Sequence, residues 1–95
     1  MINFKQQELI DKLVNEVTFK FPGVKFVSVT ESPEDPQDLW VNITFPGNEE
    51  RQIKLMEYAA ELETDILLNY GYHIMLMPAT KREIELAAKK QKMPA

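Results

Sequence analysis

From Leu39 to Phe45 the apolar residues Leu39, Val41, Ile43 and Phe45 alternate with Trp40, Asn42 and Thr44, the period-two pattern of a strand with one face turned to a core. Such a strand has no stability alone and needs apolar cover on that face. The chain supplies two covers. Leu9, Ile10, Leu13, Val14 and Val17 recur at three- and four-residue spacing, which predicts an amphipathic helix over about 4–20. Asn3 can cap it, with Gln6 three residues on, and Phe21-Pro22-Gly23 stops it, because the residue before proline avoids helical dihedrals. A second stripe runs through Ile53, Leu55, Met56, Ala59, Ala60, Leu62, Ile66, Leu67 and Tyr70. Asn48 can cap this helix, Glu49 and Glu50 sit at its positive dipole end, and Gly71 can take the left-handed closing conformation.

Val24 to Thr30 is rich in β-branched residues and precedes the loop 31–38, so it reads as the antiparallel hairpin partner of the 39–45 strand. Tyr72 to Met77 is apolar at nearly every position, the composition of a strand covered on both faces or central in its sheet. Thr80-Lys81-Arg82-Glu83 has capping-box spacing and opens a last helix whose apolar stripe, Ile84, Ala87 and Ala88, is thin. The expected fold is α+β: a single two-layer domain of order α-β-β-α-β with a short C-terminal helix, its helices packed on a three-stranded sheet. Residues 1–80 form the domain, and 81–95 a basic helix or tail. Leu39, Val41, Ile43 and Phe45 are expected to share a core with Leu9, Leu13, Val17, Ile66 and Leu67.

The charge is unevenly spread. Residues 1–78 carry six basic and thirteen acidic side chains, residues 79–95 five and two. An acidic body disfavours phosphate backbones, whereas Lys81, Arg82, Lys89, Lys90 and Lys92 could contact nucleic acid or an acidic protein surface. The 95 residues include no cysteine, which removes disulfides, thiolate zinc sites and a cysteine nucleophile and fits a reducing, cytoplasmic setting. No continuous apolar run has membrane-spanning length, so no membrane association is expected.

Few residues suggest chemistry. His73 is the sole histidine and would be the natural proton shuttle of an enzyme. With only Tyr70 and Tyr72 as nearby hydroxyls and no nucleophile turn, catalysis there is not expected. Glu57, Glu61 and Asp65 line up at four-residue spacing, the pattern of a solvated helix face. Glu31, Glu34, Asp35 and Asp38 crowd the hairpin loop without calcium-loop spacing. Neither group implies a metal, and no cofactor is expected. Trp40 stands opposite the core-facing residues of its strand, where an indole must be covered or stay wet. With Asn42, Tyr70, Tyr72 and His73 it makes up the candidate partner-binding set.

The order α-β-β-α-β resembles that of the type II KH-like fold of ribosome-associated RNA binders. The resemblance implies an RNA-binding module, here with the basic C-terminal segment as its contact. The Gly-x-x-Gly loop of KH domains has no counterpart, since Gly23, Gly47 and Gly71 are isolated. The favoured expectation is a small non-enzymatic interaction or regulatory module that binds a protein partner or a second copy of itself. RNA binding and a small enzyme with a site near His73 are the alternatives.

Overall fold

The computed structural model describes residues 2–91. The elements follow in the order α1 (Phe4–Lys20), β1 (Phe26–Glu31), β2 (Leu39–Ile43), α2 (Glu49–Tyr70), β3 (Ile74–Pro78) and α3 (Lys81–Gln91). Both long helices begin where the capping residues put them. The Asn3 side chain accepts from the Gln6 amide while the Gln6 side chain accepts from the Asn3 amide, a full capping box. Asn48 accepts from the Arg51 amide, and Gly71 closes α2 at φ 76° with its amide bonded to the Leu67 carbonyl.

The sheet order is β1-β2-β3, with β1 antiparallel and β2 parallel to their successors. Register places Val41 between Val29 and Leu76, and Leu39 opposite Ile74. These residues meet Leu9, Ile10, Leu13 and Val17 of α1 and Leu55, Ala59 and Ile66 of α2 in one core. Val17, Val41 and Leu55 are completely buried, and each such side chain contributes about 2 kcal/mol relative to exposure. Phe21 and Val24 seal the α1–β1 corner, where the Phe21 ring meets Tyr58 edge-on at 6.0 Å.

Two expectations are corrected. The 72–77 segment is neither central nor covered on both faces: β2 is the central strand, β3 lies at an edge, and Met75 is exposed. The hairpin occupies one side of β2 and β3 pairs on the other, which makes β2 central and leaves β3 at an edge. Leu67 is partly exposed instead of buried with Ile66, because one residue's step around a helix carries it about 100° off the buried stripe. Phe45 lies beyond the end of β2 and packs half-buried against the core.

The third helix packs against β1. Its N-terminus is the capping box read from the sequence, with the Thr80 amide donating to Glu83 Oε1 and the Glu83 amide to Thr80 Oγ1. Lys92 of the basic segment lies outside the described residues.

Candidate functional site

Alternation along β2 leaves Trp40 and Asn42 on the sheet face away from the core, beside Ser28 and Thr30 of β1 and Met75 and Met77 of β3. Asn42 is buried, and its amide donates to Ser28 Oγ at 3.1 Å and Thr30 Oγ1 at 3.0 Å. Ser28 Oγ in turn lies 3.5 Å from Glu83 Oε2. One carboxylate thus caps α3 with its first oxygen and touches β1 with its second, a small polar network in which every member has a partner. Asn42 supports this face from within.

The cover that α3 provides is incomplete because it sits over β1, the strand farthest from β3. Trp40 stays half-buried, its register partner Met75 is 43% exposed, and Met77 is half-buried. Trp40, Asn42 and Met77 line a cleft with Thr30, Pro33 and Thr80. An indole beside two flexible thioethers is an adaptable apolar contact surface.

The other candidates lie elsewhere. Tyr72 and His73 follow Gly71 and face a cleft shared with Asn3, Gln6 and the loop residues Asp35, Gln37 and Asp38. The His73 carbonyl accepts from the Leu39 amide at 2.9 Å, which anchors β3 to β2. Its ring has no hydrogen-bond partner among the described residues. The Tyr72 hydroxyl accepts from Asn3 Nδ2 at 3.3 Å. Tyr70 faces the α1–α2 cleft, its ring 4.7 Å from the Lys5 ammonium. Lys5 also donates to Glu8 at 2.7 Å, and that bond raises its pKa. The partner-binding set is therefore divided between the outer sheet face, the Gly71 corner and the helix cleft.

Glu57, Glu61 and Asp65 are exposed on α2. Among the described residues no group of three or more histidine or acidic side chains could hold a metal ion. No helix among them is long and apolar enough to cross a membrane. Sequence reading missed Glu63, whose carboxylate reaches the Leu76 amide at 2.8 Å. Burial raises its pKa, and the Leu76 bond acts in the opposite sense. Nothing in its spacing separates Glu63 from the solvated acids around it. The Ser28–Asn42–Glu83 link was half visible, because the capping box marks Glu83 but gives no hint of β1.

Compared with known proteins, the chain matches no family model, no curated protein and no solved structure.

Proposed function

We propose that this chain is a small non-enzymatic protein-interaction module whose contact surface is the outer sheet face around Trp40. The observation that carries this reading is the displaced position of α3, which leaves the Trp40–Met75 pair and Met77 incompletely covered. Aromatic residues and methionine are the types enriched in interface cores, and an apolar strip rimmed by polar residues is the usual form of a docking site. Thr30, Thr80 and Glu83 provide such a rim.

A photoreactive amino acid placed at Met75 in the living cell tests the reading. The expected result is a covalent protein adduct that disappears when Trp40→Ala is added to a chain still folded by circular dichroism. Adducts no different from those of a control position on α1, such as Asp11, would remove its support. An adduct to RNA would favour instead the basic face of α3, where Lys81, Arg82 and Lys89 are exposed.

A further inference from the structure

The apolar run of α2 divides into two stripes. Leu55, Ala59, Leu62 and Ile66 pack in or against the core, whereas Ile53, Met56, Ala60, Thr64 and Leu67 are all exposed. The exposed positions follow one another at spacings of three, four, four and three, the seam spacing of paired helices. At about 100° per residue they lie roughly a third of a turn round the helix from the core stripe. Ile53 is 52%, Met56 60% and the adjoining Leu68 77% exposed, too wet to belong to the core. The strip runs for about 20 Å, long enough for a partner helix of about four turns.

Charge around the strip has one sign. Glu57 and Glu61 flank it on one side, both exposed and neither ion-paired among the described residues. Glu63 flanks it on the other side and bonds to Leu76. The cations of α2, Arg51 and Lys54, lie farther round the helix, and Lys54 is drawn to Glu50 at 3.7 Å. Midway along the strip, Ala60 and Thr64 leave a shallow hollow bordered by Glu61 and Asp65. Such a hollow suits the aliphatic stem of a lysine or arginine, with the charged head at the two carboxylates.

We infer that this strip docks a basic amphipathic helix of another protein, its apolar side along Ile53 to Leu67 and its cations against Glu57 and Glu61. Charge selects against the competing occupants. A second copy, laid parallel or antiparallel, would bring acids onto acids with no cation on either flank. Phosphate backbones and anionic lipid headgroups are repelled for the same reason. A cation also relieves the repulsion within the row Glu57, Glu61 and Asp65, whose four-residue spacing sets like charges together. The helical layer covers the core face of the sheet and Trp40 lies on the other face, so this is a second surface, which extends the reading of the chain as an interaction module.

NMR titration of the full chain with a synthetic peptide tests it: about five helical turns with leucine at the heptad seam positions and lysine elsewhere. Saturable shifts at the Ile53, Ala60 and Thr64 amides are expected, with the Trp40 indole unmoved. In chains still folded by circular dichroism, Glu57→Lys with Glu61→Lys should weaken binding roughly tenfold, since attractions become repulsions. Glu34→Lys with Glu85→Lys changes net charge equally at exposed sites away from the strip and should leave affinity within about threefold. Ile53→Gln with Met56→Gln keeps helix propensity and should also weaken binding roughly tenfold. An absence of saturation, equal losses from the two charge pairs, or no loss from the glutamine pair would each overturn the inference. So would shifts centred on Trp40, or concentration-dependent shifts of the same α2 amides without peptide, the mark of a second copy. The Met75 crosslink reports separately on the Trp40 face, so either reading can fail while the other stands.

Discussion

Glu63 of α2 accepts a 2.8 Å hydrogen bond from the backbone amide of Leu76, thirteen residues further along the chain. The contact ties the long helix to an edge strand and uses the outward donor that would otherwise recruit another strand. It is bought with a partly desolvated carboxylate, whose pKa burial raises above the usual value.

That arrangement separates charge from hydrogen bonding at position 63. Glu63→Gln keeps an acceptor for Leu76 and removes the charge, so it should leave the melting temperature at pH 7 unchanged or higher. Glu63→Ala leaves the amide unpaired and should lower stability by about 1 kcal/mol. With the folded pKa above the unfolded one, the native state holds this proton more tightly, and stability falls as pH rises from the unfolded pKa through the folded one. Urea titrations of wild type and Glu63→Gln across the acid range should therefore differ in slope there. Parallel curves would contradict the assignment.

Val41→Asp should abolish folding. Val41 is completely buried between Val29 and Leu76, and an unpaired carboxylate there costs several kcal/mol, much of the stability of a domain this size. A cooperative melt near the wild-type temperature, followed by circular dichroism, would show that the strand register is wrong.

Glycines 47 and 71 should respond differently to alanine. Gly71 holds φ 76° with open space around the position of a β-carbon, so Gly71→Ala is opposed by backbone conformation alone, at about 1 kcal/mol. Gly47 has neither positive φ nor a crowding neighbour, and Gly47→Ala should be neutral or slightly stabilising. Differential scanning calorimetry of the two variants gives the comparison directly.

Removing the α3 cap should be visible at Trp40. Thr80→Ala loses the acceptor for the Glu83 amide, about 1 kcal/mol of helix stability, and loosens the first turn whose Glu83 carboxylate also reaches Ser28. Trp40 shares a cleft with Thr80 and Glu83, so its emission should move to longer wavelength and acrylamide quenching should rise. Unchanged fluorescence would mean that α3 does not govern the indole's exposure.

Local signals in the sequence determined the elements of this protein. The Asn3–Gln6 and Thr80–Glu83 capping boxes, the Asn48 cap, Gly71 and the alternation through Val41 each act within a few residues, so the helix limits and the core face of β2 could be read without the fold. What lies across the sheet depended on distant chain segments. The hairpin occupies one side of β2 and β3 pairs on the other, which makes β3 an edge despite its apolar composition. The same tertiary choice put Glu63 against Leu76, Glu83 against Ser28, and α3 over β1 and away from Met75. A carboxylate in a solvated helix row and one sealing a sheet edge have the same local pattern, because only the packing of the surrounding layers removes water from one of them.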